Sequence, residues 1–451
     1  MKTVFVIGAG PAGLYATHKL ALAGHRVVII NRDIKPGGLA EYGIYPVKEK
    51  MKGGLRKQFA KMLDMPNVFY FGHVSVGEGY ALHLDELHAL NPAAIVFAVG
   101  AQGTKRLGIP GEDAHGVYAA KDFVYHYNRL PLMEGRDFST GKRVAIVGMG
   151  NVMVDIARWL LLDDPERTAE EVIVVARRGP FEAKFDHREF VHVERHLVRN
   201  AFEAELGRLR EMLAAAGQDV SQVSETTFSV LKQAYTEELP RLLFRFLCSP
   251  RAIHTDADGR ICRLEVTENI LERKGNDTAA RATTQTASID VDTMIFAIGD
   301  VADSKVGLPY ANSGYVTNPS QQQAERGAYE VYDPATGKVL EGTFVVGWAR
   351  KASEGLVGVA RFDAEHGVVH VLKYVEGVPD RGSAPPAEIQ RLVESKGLPV
   401  VNKEDLGFLH QAEERIAQER GLPSFKFGDD ASMLAAIGEE KAKAGATASR
   451  S

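Results

Sequence analysis

An α/β fold of two Rossmann-like dinucleotide-binding domains, the second inserted into the first, is predicted by three features of this 451-residue sequence. GAGPAG at 8–13 follows an apolar run and opens a helical pattern. GMGNVM, from Gly148, does the same. Two similar apolar segments closing in glycine, NPAAIVFAVG at 91–100 and VDTMIFAIGD at 291–300, follow one after each fingerprint, where the chain is expected to cross between domains. Two such sites in one chain point to a flavin and a nicotinamide exchanging a hydride.

In the first unit, residues 3–7 read as a buried strand and 14–23 as a helix ended by Gly24. Gly8 permits the tight turn, Gly10 lets backbone approach a pyrophosphate, and Gly13 lets helix and strand pack closely. The helix N-terminus then offers unpaired N–H groups and partial positive charge to the phosphates. The next strand, 26–30, leads into Asn31, where an acidic residue ordinarily accepts hydrogen bonds from the adenosine ribose. Asn31 can still accept through its amide oxygen, as a weaker neutral partner.

The second fingerprint, KRVAIVGMGNVMVDIARWLL, carries Met153 in the third-glycine place, so its helix is expected to stand slightly further from its strand. The following strand, 171–176, ends in ARRGP. Ala176 occupies the position of an NAD-type carboxylate, while Arg177 and Arg178 bring guanidinium groups suited to a 2′-phosphate. NADPH is therefore expected over NADH; the alternative is a solvated arginine pair.

Composition fits two or three domains with sizeable cores, at 45% hydrophobic residues. With 54 basic against 59 acidic residues, net −5, bulk charge argues against a nucleic-acid-binding surface. No apolar stretch approaches the roughly 18 residues of a membrane span, and the strand beginning at Thr3 leaves no expected signal or transit peptide. Cys248 and Cys262 form no CxxC pair, which excludes a dithiol relay, four-cysteine iron–sulfur ligation and a disulfide framework. A cytoplasmic setting is expected. Residues 101–113 read as a linker, 201–238 as a charged helical excursion, 342–358 as a return strand and glycine-rich turn, and 443–451 as a disordered tail.

The order of motifs resembles the adrenodoxin reductase type of NADPH–ferredoxin reductase, flavoproteins related in fold to glutathione reductase. The matching pieces are GAGPAG, GGLAEYGIYP (37–46), LGIPGED (107–113), GMGNVMVDIAR (148–158), ARRGPFEAKF (176–185), FRFLCSP (244–250), VVGWARKASEGLVG (345–358) and the stretch 388–437. The two crossing segments place the inserted NADP domain at 104–301, between the two parts of an FAD domain at 1–103 and 302–451. The resemblance implies FAD contacts at Ala12, Asn31, Leu39, Val76 and Trp348, and in the turn Gly355, Leu356 and Val357. NADPH contacts follow at Met149, Gly150, Asn151, Val152, Arg177, Arg178 and Glu189, with Gly355 near the nicotinamide. Electrons would pass singly to a ferredoxin-like iron–sulfur protein.

Three departures from that pattern stand out. Pro46 is followed by Val47, Lys48 and Glu49, without the histidine that members often place near the flavin. The return turn reads Lys351-Ala352-Ser353-Glu354 in place of Arg-Gly-Pro-Thr, and Cys248 stands where an arginine can occur. Glu189 and Lys48 are candidate modulators or simply solvated side chains. Since the cofactors carry the redox chemistry, no nucleophile or metal ligand is expected. His192 and His196 in HVERH are spaced to share one helix face, as a surface pair rather than a metal site. Arg241, Arg245 and Arg251 could dock an acidic ferredoxin or serve the fold. Two other classes remain open: an electron-donating subunit resembling the small subunit of glutamate synthase, without its N-terminal cysteine clusters, and a non-catalytic NADPH-binding redox sensor.

Overall fold

The computed structural model describes residues 1–226, 228, 239–275, 277–319, 329–352, 357–380, 382 and 385–448. The chain forms two units: Met1–Thr104, Tyr127–Glu134 and Gly299–Ser451 make the first, and Lys105–His126 with Gly135–Ile298, inserted into it, make the second.

In the first unit the run TVFVI forms the strand Thr3–Ile7, buried along its whole length, as a parallel strand covered on both faces must be. It lies between Arg26–Asn31 and Ala94–Phe97, both parallel to it, with Ile7 opposite Ile30 and Phe97. The six-stranded sheet runs Glu330–Asp333, Lys338–Val345, Ala94–Phe97, Thr3–Ile7, Arg26–Asn31, Val68–Gly72. Only Glu330–Asp333 is antiparallel to its neighbour.

Side chains alternate across this sheet. Val4, Val6, Val27 and Ile29 face the helices Pro11–Leu22, Glu49–Leu63 and Val357–Gly377. Phe5, Ile7, Val28 and Ile30 face the opposite core, which includes Leu87, Ile389 and Val393. The two crossing segments pair with each other as a short antiparallel ribbon, Thr104 opposite Asp300 and Gly103 opposite Val301.

C-terminal helices brace the loop after Asn31. Lys403–Glu419 begins with a reciprocal cap in which the Asn402 side chain accepts from Asp405 N–H at 3.1 Å and Asp405 accepts from Asn402 N–H at 2.9 Å. Leu409, Met433 and Ile437 then close over Ile34. Of residues 443–451, expected to be a disordered tail, 443–448 instead continue the helix Asp430–Ala448, because alanine and lysine favour helix and Lys443 bonds to Glu440 at 2.7 Å, while 449–451 lie outside the described residues.

The second unit has a five-stranded parallel sheet ordered Val117–Ala119, Thr293–Phe296, Arg143–Val147, Glu171–Val175, Arg241–Arg245. An antiparallel sheet of Cys248–Thr255, Ile261–Lys274 and Asp277–Asp290 covers one face through Ile253, Leu264 and Val266. On the other, Phe190, Phe202, Phe228 and Phe244 make edge-to-face contacts, with Phe202 and Phe244 centroids 5.6 Å apart. Of the helical excursion, Arg199–Ala215 is α-helix, and 227 and 229–238 lie outside the described residues. The HVERH histidines do not share a helix. The α-helix His187–Phe190 ends before His192, and His196 closes the 3₁₀ turn Glu194–His196, its Nδ1 2.8 Å from the Pro240 carbonyl oxygen.

Candidate functional site

A cleft in the first unit opens at the C-terminal ends of its parallel strands, where α/β sheets bind ligands. Gly8 donates to the Ile30 carbonyl at 2.8 Å with φ +100°, and the helix Pro11–Leu22 starts directly afterwards from Gly10. A Cβ on Gly13 would lie 1.9 Å from the Gly8 carbonyl oxygen, so only glycine lets this helix sit so close to its strand. A Cβ on Gly10 would meet nothing within 4 Å, which leaves the backbone open to the cleft. No acidic residue stands in the first turn of this helix to oppose a phosphate. Gly37 N–H donates to the Ala9 carbonyl at 2.8 Å and Gly38 packs on Gly10, bringing Leu39 to the rim.

The structure thus gathers Gly8, Gly10, Ala12, Asn31, Leu39 and Val76 in one cleft, with Trp348 and Val357 from the return segment. Gly13 lies beneath it. Gly355 and Leu356 lie outside the described residues, as do Ser353 and Glu354. Lys48 is not among the residues lining this cleft; it occupies the N-cap of Glu49–Leu63. One turn on, Lys52 is buried and donates to Asn128 Oδ1 at 2.8 Å, and burial pushes its ammonium down to about 8.

Asn31 does not present a free amide. Its Oδ1 accepts from Ala9 N–H at 2.8 Å, and its Nδ2 donates to the Asp33 carbonyl at 2.7 Å, to the Lys35 carbonyl at 3.3 Å and to the Tyr70 hydroxyl at 3.1 Å. The side chain is a strut between the fingerprint turn and the loop after the strand.

Two buried carboxylates hold the rim: Asp363, which lies in none of the motifs, and Glu41, which lies inside GGLAEYGIYP without a role read from it in the sequence. Asp363, from the helix Val357–Gly377, accepts Gly347 N–H at 2.6 Å and pairs with Arg350, whose Nε lies 3.1 Å away. Arg350 also stacks on Tyr329, 4.1 Å from the ring centroid. Together these fix the turn that carries Trp348. Glu41 accepts from Arg56 at 2.7 and 2.9 Å, with Lys426 at 3.2 Å and Lys35 at 3.9 Å. Burial alone would raise its carboxyl, but Lys35, Arg56 and Lys426 together hold it well below the usual carboxylate range.

The second fingerprint builds a matching turn. Gly148 donates to the Val175 carbonyl at 3.0 Å with φ +126°, Gly150 caps the helix Asn151–Arg158, and no acid stands in its first turn. Met153 in the third-glycine place is fully buried. Lys184 N–H donates to the Met149 carbonyl at 2.9 Å, and Asn151 Oδ1 accepts Asp186 N–H at 2.7 Å. These bonds place Lys184 and the short helix bearing Glu189 against the fingerprint, while Val152 is exposed. Ala176 is buried, its successor Arg177 is exposed, and Arg178 is partly drawn away toward Asp277 at 3.4 Å and the Thr278 carbonyl at 3.2 Å.

The arginines considered for docking are matched within the unit. Arg241 pairs with Glu171 at 2.5 Å, Arg245 with the buried Glu205 at 3.0 Å, and Arg251 with Glu265 at 2.9 Å. Cys248 is buried beside Arg245 and Arg208, and burial raises its thiol.

Residues 2–232 match the model of the pyridine nucleotide-disulphide oxidoreductases. The chain belongs to that family, in its adrenodoxin-reductase-type branch. It is 30% identical over 428 residues to NADPH-ferredoxin reductase FprA of Mycobacterium leprae, an alignment covering 87% of this chain and 88% of the relative. To the mitochondrial NADPH:adrenodoxin oxidoreductase of Salvelinus fontinalis it is 28% identical over 470 residues, covering 96% and 90%. FprA of Mycobacterium tuberculosis, solved in complex with NADPH, matches with a TM-score of 0.78 and 25% identity over 97% of this chain and 99% of that one. No helix among the described residues is long and apolar enough to cross a membrane.

Proposed function

We propose that this chain is an FAD-dependent oxidoreductase that takes hydride from NADPH and passes electrons singly to a ferredoxin-like iron–sulfur protein. One observation carries the reading: the same glycine turn and acid-free helix N-terminus is built twice, each after a parallel strand of its own sheet, in an adrenodoxin-reductase-type chain. Bound FAD supplies the chemistry, accepting electrons in pairs and releasing them singly.

The first-unit cleft would hold FAD. Unpaired N–H groups at the start of Pro11–Leu22 suit its pyrophosphate, Val76 an adenine edge, and Trp348 with Val357 an isoalloxazine face. Met149, Gly150, Asn151 and Val152 form the corresponding turn for NADPH, with Arg177 and Arg178 toward its 2′-phosphate and Glu189 alongside. The partner is a small iron–sulfur protein. All three arginines pair with carboxylates of their own unit, and Arg251, the most exposed of them, is the better candidate for contact with that partner. A buried Cys248 and an unpaired Cys262 suit a reducing, cytoplasmic setting.

The test is rapid mixing of the purified yellow protein with NADPH, followed by ferredoxin, flavodoxin or a quinone. NADPH should bleach the flavin absorbance, and ferredoxin should then restore it over many turnovers. Flavin that NADPH never bleaches would overturn the reading, and turnover only with a co-purifying enzyme would favour the subunit alternative.

A further inference from the structure

We infer that the adenosine ribose of the flavin is read by Asp33, two residues past the strand end, and not by Asn31; this rests on the assignment of the first-unit cleft to FAD. The ribose offers two neighbouring hydroxyl donors, for which an ionised carboxylate is the strongest acceptor. Asn31, at the position that ordinarily carries the acid, is 7% exposed, and its amide is tied to Ala9, Asp33, Lys35 and Tyr70. Its two amide protons already face three acceptors, and its oxygen, which already takes the Ala9 N–H, keeps one lone pair but no charge, a weaker acceptor than an ionised carboxylate.

Among the described residues lining the cleft, the carboxylates are Asp33 and Asp303. Asp303 lies on a different segment, where its Oδ1 caps a turn by accepting Lys305 N–H at 3.0 Å, whereas Asp33 lies on the loop directly after the strand ending in Asn31. Asp33 has capacity left. Arg32 Nε donates to its Oδ1 at 2.9 Å and Arg32 Nη2 to its Oδ2 at 3.2 Å, a fork that leaves each oxygen a second lone pair. The same fork orients the carboxylate, and the bond from Asn31 Nδ2 to the Asp33 carbonyl fixes the backbone beneath it. The charge lost at position 31 is thus restored at position 33, with Asn31 as the strut that holds the substitute in place.

The experiment compares FAD with an analogue whose adenosine ribose lacks both hydroxyls, each titrated into flavin-stripped protein and followed by quenching of flavin fluorescence. Wild type should bind FAD about tenfold or more tightly than the analogue, the scale of one to two charge-assisted hydrogen bonds. Asp33→Asn should weaken FAD by a similar factor while leaving the analogue nearly unchanged. Arg32→Ala, which frees the carboxylate, and Asp303→Asn should both keep the preference for FAD. Equal losses on both ligands in Asp33→Asn, a preference that survives in it, or wild type that does not distinguish the two ligands would overturn the inference. Wild type that binds neither ligand would overturn the assignment of the cleft itself.

Discussion

Gly8 and Ala98 are locked together at the C-terminal edge of the first sheet: a Cβ on Gly8 would come within 2.6 Å of the Ala98 carbonyl oxygen. Gly148 and Ala297 repeat the relationship in the second unit, at 2.2 Å. Each alanine follows the strand that pairs with the fingerprint strand of its own sheet, Thr3–Ile7 or Arg143–Val147. The similarity of the segments ending VFAVG and IFAIG therefore has a structural cause, since both close over a fingerprint glycine.

That symmetry separates the two cofactors by mutation. Gly8→Ala, with φ +100° and no space, should yield protein that retains little flavin on purification. Gly148→Ala, with φ +126°, should stay yellow yet resist bleaching by NADPH. Absorbance spectra before and after NADPH decide the matter; a Gly148→Ala protein bleached at the wild-type rate would count against the second fingerprint as the NADPH site.

Arg177 should carry more of the coenzyme preference than Arg178, because Arg178 is already drawn toward Asp277 and Thr278. Losing one charge-assisted contact to a 2′-phosphate costs about 1.5–3 kcal/mol, so Arg177→Ala should raise the KM for NADPH by roughly 10- to 100-fold. Its KM for NADH should hardly move. A wild-type enzyme that uses both coenzymes equally well would show the pair to be a surface feature.

Asp363→Ala removes the acceptor of Gly347 N–H and strands Arg350 in a largely buried setting. The expected loss of stability is about 2–4 kcal/mol. Because Trp348 sits in the turn this carboxylate fixes, the visible flavin spectrum should shift as well. Urea unfolding together with the spectrum tests both, and an unchanged midpoint would refute the anchoring role.

A pH effect is expected from His73 and Asp430. The hydrogen bond to Asp430 raises the His73 imidazole above its ordinary 6.5 against the effect of burial, with the Pro399 carbonyl helping. The folded state therefore holds this proton more tightly, so the pair's contribution is complete below pH 6.5 and is lost as pH rises through the higher folded value. His73→Asn, chosen because asparagine tolerates the φ of +65° here, should be less stable than wild type near pH 6 and converge on it near pH 9. Parallel stability curves across that range would dismiss the coupling.

Read alone, the residues determine the local devices. The runs TVFVI and RVAIV, the turns after them and the strand-end arginines are legible because each depends on neighbours a few positions apart, and strand burial, helix starts and tight turns leave periodic or glycine signals at that range. Only the tertiary structure decided what braces those devices. Glu41 meets Lys35, Arg56 and Lys426, and Gly347 meets Asp363, through pairings set by topology. An isolated carboxylate has no period to reveal it. Asn31 shows the same limit from the other side: its position marks the ribose end of the strand, but whether its amide is free depends on Ala9 and Tyr70, 22 and 39 residues away, folding back upon it.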